Sequence, residues 1–375
     1  MLNIIDRPTH KVCSSPNYNY LFNKKTGAFY EWSTTKEEDP LYAPFPNIAD
    51  IEISSAVDAK TAAKYSIVNG SIAQTNEDYI VTKGGCDGIG CGFCYKQNGK
   101  HNYTLHMSLT GFKKLADKLP EGLCQIAMGA TTIQHHPEFW DICKEGTRRG
   151  LAMNVTVNGG NLDQPTIEKL AQHCNAIAVS VNSINKDMAY DAIEQLIGRP
   201  EKRQINIHYV LSMETFDGCK RTIEDCQRDK RLAGLNALVL LMFKNKSTNA
   251  LTTITDPLVY KELIDYAEKL QVPLGFDSCS AYNYLKAIQH SDNYDTQSQY
   301  VTPCCGGRFS AYFDVFMNYH ACSFLEGREE WGEGIPILPS TDFIKDVWNH
   351  PRTEKFRQHN IERSKKMRNP CKYFD

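Results

Sequence analysis

The stretch Gly84-Gly85-Cys86-Asp87-Gly88-Ile89-Gly90-Cys91-Gly92-Phe93-Cys94-Tyr95 holds three cysteines and five glycines in twelve residues. Packing offers no reason for such a run. Glycine permits positive φ and close backbone approach, so the loop can wrap a compact inorganic centre and aim amides at its sulfurs. Iron–sulfur clusters are held by cysteine thiolates, and three local thiolates leave one iron of a cubane cluster open to an exogenous molecule. The plainer alternative is zinc, because Cys91-Gly92-Phe93-Cys94 is a zinc half-motif. It lacks a second half. The chain has no other Cys-x-x-Cys, and His101 and His106 follow Cys94 too closely for a finger.

Outward from the loop, the remaining cysteines divide into core and candidate ligands. The chain has 14 among 375 residues, more than a reducing compartment keeps for disulfides. Cys124, Cys143, Cys174 and Cys226 lie inside apolar strand or helix patterns and read as small buried residues. Charge is balanced, 42 Lys and Arg against 44 Asp and Glu, which gives no electrostatic argument for nucleic acid or a membrane surface. The apolar share of 41% excludes disorder as the main state. The longest apolar run, Leu238 to Phe243, is far too short to span a bilayer. Asp6, Arg7 and Pro8 interrupt any secretory signal, so a cytoplasmic protein is expected.

From residue 124, β-rich runs alternate with helical patterns, the sign of βα units on a parallel sheet. The expected strands are Gln125–Met128, Met153–Val157, Ala176–Val181, Ile205–Leu211, Leu238–Phe243 and, more weakly, Pro273–Phe276. Asp50–Ser54 and Tyr79–Lys83 compete for the first strand, and Tyr79–Lys83 is preferred because it leads into the cysteines. Thr110 is the expected N-cap of the helix carrying Phe112, Leu115, Ala116 and Leu119. Tyr18–Asn23 and Ala28–Trp32 flank Gly27 as a β-hairpin, either capping the sheet or offering an edge to a peptide. These readings divide the chain into an N-terminal extension (1–78), a βα region (79–276) and a smaller C-terminal domain (277–375).

The loop, its preceding strand and Phe93 resemble the signature of the radical S-adenosylmethionine (SAM) superfamily. Its usual spacing is Cys-x3-Cys-x2-Cys; here four residues separate Cys86 from Cys91, and Gly88 and Gly90 can absorb the extra one. The resemblance runs over residues 79–375. It implies an α/β fold with a partial (β/α)6 TIM-like barrel, and a 4Fe–4S cluster on Cys86, Cys91 and Cys94 whose open iron chelates SAM. Reductive cleavage would give a 5′-deoxyadenosyl radical that abstracts a substrate hydrogen, with electrons from an external flavodoxin- or ferredoxin-type donor. Phe93 and Tyr95 match positions bordering the adenine. Met128-Gly129-Ala130-Thr131 is similar to the family's Gly-Gly-Glu motif, with Thr131 in the Glu position. Asn158, Ser180 and Asn182 stand at strand ends where ribose and carboxylate would lie. His135 and His136 read as a helix-start pair with no ligand role.

Cys279, Cys304, Cys305, Cys322 and Cys371 lie beyond the βα pattern. Phe313 to Phe324 resembles the hairpin of the SPASM and twitch modules, with Met317 where those carry glycine; Val347 to Pro351, Phe356-Arg357 and Asn369-Pro370-Cys371 resemble their closing helix and last ligand. The resemblance implies a small α+β domain with one auxiliary 4Fe–4S cluster on Cys279, Cys305, Cys322 and Cys371, Cys304 being the alternative to Cys305. A zinc ribbon or free thiols would be the plainer reading. Such modules imply a peptide or protein side chain as substrate. A small molecule, an amino acid or sugar, is the alternative and would go with a polar lumen; a non-enzymatic zinc-binding protein is the third. Cys279, Cys304 and Tyr312 are candidate hydrogen-atom donors.

Overall fold

A computed structural model describes residues 2–36, 38–65, 77–89, 91–201, 203–246, 250–328 and 330–366. Gly90 and the segment Asn369-Pro370-Cys371 lie outside them. Four strands, β1 (Asn3–Asp6), β2 (His10–Ser14), β3 (Asn19–Asn23) and β4 (Phe29–Trp32), form an antiparallel sheet in chain order. The expected hairpin is its second half, turning at Gly27 with φ +72°. The sheet closes the N-terminal ends of the parallel strands. Lys11 Nζ donates to the carbonyls of Glu121 and Leu123 at 3.1 and 2.8 Å, Tyr20 Oη to that of Gly122 at 2.8 Å, and Asn175 Nδ2 to that of Lys24 at 3.1 Å. Cys13, Tyr18, Tyr20, Phe22, Phe45 and Phe309 bury a second apolar cluster there.

β5 (Ile48–Glu52) and β6 (Ser54–Val57) follow, then α1 (Ala59–Tyr65), β7 (Tyr79–Lys83) and β8 (Tyr103–Met107). Tyr79–Lys83, expected from sequence to be the first parallel strand, is not one. It pairs antiparallel with β8 in a three-stranded sheet ordered β6-β8-β7. Ile48–Glu52 takes the parallel position, against β9 (Gln125–Gly129). The cysteine loop is therefore the connection between two antiparallel neighbours. α2 (Leu109–Ala116) follows, and its cap is Ser108, whose hydroxyl accepts from Gly111 N at 3.0 Å; Thr110 lies already within the helix.

The βα alternation then runs as read: α3 (Phe139–Arg148), β10 (Ala152–Asn158), α4 (Gln164–His173), β11 (Ala176–Val181), α5 (Lys186–Ile197), β12 (Gln204–Leu211), α6 (Phe216–Arg228), β13 (Ala237–Met242), α7 (Pro257–Lys269) and β14 (Leu274–Phe276). One face of each strand is apolar and buried in the main core, as with Ile126 and Met128, Val155 and Val157, Ile177 and Val179, Ile205 and Ile207. The opposite face carries Asp50, Gln125, Asn154, Thr156, Ser180, Asn206 and His208, because side chains alternate along a strand.

Beyond α8 (Ala281–Ile288) and α9 (Tyr294–Ser298), β15 (Ser310–Phe313), β16 (Asn318–His320) and β17 (Ile335–Pro336) extend the same sheet, ordered β14-β13-β12-β11-β10-β9-β5-β15-β16-β17. The C-terminal strands thus join the parallel sheet through β5. Met317 sits in the β15–β16 turn at φ +63°, a left-handed conformation glycine adopts at less cost. The final helical stretch is split at Pro351 into a π-helical turn, Ile344–Trp348, and α10 (Pro351–Lys365).

Candidate functional site

The C-terminal ends of β9, β10 and β11 hold the cysteine loop through a set of amide and hydroxyl contacts. Ser54 Oγ accepts from Thr131 N at 2.9 Å, and the Thr131 carbonyl lies 3.4 Å from Cys86 Sγ. Asp87 N donates to Thr132 Oγ1 at 3.2 Å. Asn158 Nδ2 donates to the Ile89 carbonyl at 3.2 Å and to Cys91 Sγ at 3.5 Å; Asn182 Nδ2 donates to the same carbonyl at 2.9 Å. Behind both amides, Asn185 is fully buried and donates to Asn158 Oδ1 and the Ser180 carbonyl while accepting from Asn182 N. It starts α5, and no spacing in the sequence marks it.

Two of the loop's glycines, Gly85 and Gly88, are constrained by contact. A Cβ on Gly85 would meet the His101 carbonyl at 2.2 Å, and one on Gly88 would stand 3.1 Å from Cys91 Sγ and 3.3 Å from Cys86 Sγ. Burial raises the pKa of both thiols, and the Asn158 amide lowers that of Cys91 in part. His135 reaches Asp87 at 3.3 Å, while His106 and His136 are buried ring to ring at 4.9 Å, with His106 held by Thr82 at 2.9 Å.

Below the loop opens a cleft of about 370 Å³, whose wall includes Cys86, Gly88, Cys91, Tyr95, Met128–Thr131, Thr156, Asn158 and Ser180, with Asp50, Glu52, Lys96 and Tyr312 on the β5–β15 side. Of the residues expected around SAM, Tyr95, Gly129, Ala130, Thr131, Asn158 and Ser180 line it. Asn182 is turned to the loop, and Phe93 is half-buried. Lys96 Nζ pairs with Glu52 at 3.0 Å and Glu326 at 2.6 Å, and Tyr312 Oη lies 3.2 and 3.0 Å from the same carboxylates. Burial raises the Glu52 pKa against the pull of Lys96; Lys96 and Lys246 hold that of Glu326 down against its burial.

A packed path leads to the second cysteine group. Tyr95 stacks on Phe324 with centroids 4.5 Å apart, Lys244 Nζ stands 4.5 Å over the Phe324 ring, and the same ammonium donates to Cys279 Sγ at 2.9 Å and pairs with Asp277 at 3.1 Å. Burial raises the Cys279 pKa to about 12, and the thiol feels both Lys244 and Cys322. Gly306 lets the Cys304–Cys305 segment pass the chain that leaves β16 toward Cys322; a Cβ there would be 2.7 Å from the Ala321 carbonyl. Cys304 has φ +33°, and the two neighbours face different surroundings: Asn360 of α10 donates to Cys304 Sγ at 3.3 Å, whereas Cys305 packs with the Phe45–Phe309 cluster and is raised to about 12 by burial. Cys371 lies outside the described residues.

No family model matches the chain. A stretch of 146 residues, 34% of the chain, is 22% identical to an S-adenosylmethionine-dependent nucleotide dehydratase of Psychrobacter lutiphocae, of which it spans 47%, about half that protein's length. Among solved structures, Streptococcus suis SuiB bound to precursor peptide SuiA superposes with TM-score 0.63 at 9% identity, over 95% of this chain and 90% of that one. SuiB bound to S-adenosylmethionine gives 0.59 at 11% identity, over 84% and 69%. The chain shares the α/β fold of SuiB.

The resemblance of the cysteine loop to the radical SAM signature implies a 4Fe–4S cluster, and the loop fits one. Three free thiols stand on one short loop over the strand ends, and a missing side chain at Gly88 leaves room between two of them. Cys86, Cys91 and Cys94 would hold the radical SAM cluster. Sequence reasoning assigned no site role to Asp50, Glu52, Lys96, Asn185 and Lys244, although Asp50 and Glu52 lay in a candidate strand and Lys96 adjoins Tyr95.

Proposed function

We propose that this chain is a radical SAM enzyme that abstracts a hydrogen atom from the side chain of a peptide or protein substrate. The observation that carries the reading is the placement of Cys86, Cys91 and Cys94 over the C-terminal ends of β9–β11, at the mouth of the polar cleft. When bound, cluster and SAM supply reductive cleavage to the radical that takes the hydrogen. The chain's own residues bind and orient. Asn158 and Asn182 fix the loop through the Ile89 carbonyl, Tyr95, Gly129, Ala130, Thr131, Asn158 and Ser180 line the SAM space, and Phe93 borders it. Cys279, Cys305 or Cys304, Cys322 and Cys371 would hold one auxiliary 4Fe–4S cluster in a twitch-like C-terminal module. The divisions at residues 78 and 276 are then divisions of role, since β5 and β15–β17 share the ten-stranded sheet with β9–β14. The reaction takes place in the cytoplasm, with an electron donor of flavodoxin or ferredoxin type.

The peptide substrate is favoured by the likeness to SuiB in its peptide-bound structure, which extends over 95% of this chain. A small-molecule substrate is the second reading, favoured by the polar cleft wall of Asp50, Thr156, Asn158 and Ser180 and by the nucleotide dehydratase relative. The test is anaerobic reconstitution, iron analysis and measurement of 5′-deoxyadenosine with a chemical reductant. Iron at about eight per chain with SAM cleavage supports the reading; stoichiometric zinc without iron overturns it.

A further inference from the structure

Asp50 is the middle residue of β5, with Ala49 and Ile51 turned into the core at 0% and 1% exposure. Its own side chain therefore points the other way, into the cleft. In register it lies between Ala127 of β9 and Tyr312 of β15. Ala127 contributes only a methyl group, so nothing on that side covers the carboxylate. Two residues further along β9 lies Gly129, whose end of the strand holds the cysteine loop; Asp50 is thus about 7 Å deeper along the strands than that rim.

Three donors of this wall are committed elsewhere. Lys96 is bound to Glu52 and Glu326, Tyr312 Oη lies against the same two carboxylates, and Thr156 Oγ1 shares a hydrogen bond with His208 Nδ1 at 3.4 Å. Among the described residues no hydrogen bond or ion pair reaches Asp50. Its carboxylate is open to the cleft yet deep enough that lost hydration alone raises its pKa to about 6. At neutral pH it is a charged group exposed to the cleft and without a counter-charge.

We infer that Asp50 is the anchor for a cationic nitrogen of the substrate, an ammonium or guanidinium that enters the cleft beneath the cysteine loop. A cation supplies both the missing charge and the missing donors, which a neutral hydroxyl does not. The inference rests on the radical SAM reading for what happens next to the anchored group, but the anchoring itself does not depend on iron. The same nitrogen chemistry has two sources, a basic side chain of a peptide or a free small amine, and these are separated by the choice of probe.

The experiment uses the full chain as purified and again after anaerobic reconstitution. Binding of n-butylamine, of Nα-acetyl-lysine methylamide and of neutral n-butanol is followed by the shift of the Asp50 carboxyl carbon in 13C spectra and by calorimetry. Both cations are expected to bind about tenfold or more tighter than the alcohol. The discrimination is lost in Asp50→Asn, retained in Asp50→Glu, and accompanied by SAM affinity within about twofold of the parent in the reconstituted Asn variant. Tighter binding of the lysine derivative assigns the cation to a peptide, and tighter binding of butylamine to a small amine. Undiminished discrimination in Asp50→Asn overturns the proposal. So does a tenfold loss of SAM affinity in that variant, which would make Asp50 a cofactor ligand. Failure to take up iron defeats the radical SAM reading alone, because the amine binding is measured without it.

Discussion

The two cysteine groups are built on opposite physical plans. Cys86, Cys91 and Cys94 lie within one glycine-rich connection, half-exposed at the mouth of a cleft, and the protein meets them with neutral donors, the Asn158 amide above all. Cys279, Cys305 and Cys322 come from three separate segments, and a buried ammonium, Lys244, reaches into the group. An open, neutrally supported set suits a centre that must admit a ligand. A closed set with a fixed cation suits one that holds its place and its charge state.

The sharpest way to break that contrast is to remove one plan entirely. Replacing Cys86, Cys91 and Cys94 with Ala should lower reconstituted iron from about eight to about four per chain and abolish 5′-deoxyadenosine formation, as iron analysis and chromatography would read. Retained cleavage would mean that the open site is elsewhere. Next in size, Lys244→Met should leave the first centre alone and lower the midpoint potential of the second by about 60 mV or more, the one-electron equivalent of a lost charged hydrogen bond of ~1.5 kcal/mol. Spectroscopic redox titration decides; equal shifts at both centres would erase the difference in plan.

Phe324→Ala tests whether the two plans are mechanically joined. The ring lies between Tyr95 and Lys244, so its loss should reduce stability by about 2 kcal/mol in denaturant unfolding and also weaken SAM binding through the slackened Tyr95. A stability loss with SAM affinity untouched would separate the regions. The smallest effect belongs to Asp50. Its folded pKa of about 6 stands above the ordinary 3.8, so folding favours the protonated acid; that contribution is complete below about pH 4 and is lost as pH rises through 6. Asp50→Asn should therefore match the parent at pH 4 and melt higher at pH 7. His208, held near 4 by burial, shifts both proteins alike in the opposite sense and cancels in the difference.

The strands from Gln125 onward were legible because each carries its own apolar row and its own flanking helix. The first strand was not. Tyr79–Lys83 has the stronger local β character, yet its partner Tyr103–Met107 is a near neighbour in sequence, while Ile48–Glu52 is fixed by strands far along the chain that no local pattern reveals. The cysteines announced themselves by spacing. Asp50 and Glu52 are single charges at strand positions and Lys244 follows the end of β13, and only the folded sheet shows that they face a cleft or a thiol. The Asn182 amide was expected toward SAM and is instead spent on the loop, which a strand-end position alone could not distinguish.

The position of β5 has a further consequence for how the chain is made. It leaves the ribosome before both of its sheet neighbours, Gln125–Gly129 and Ser310–Phe313, and the second of them emerges far later along the chain. Until then one edge of β5 stays unsatisfied, a long-range closure of the kind that slows folding and invites wrong pairing. Any fragment ending before residue 310 would carry that raw edge permanently. Co-expression with a chaperone should therefore help such truncations far more than it helps the intact protein.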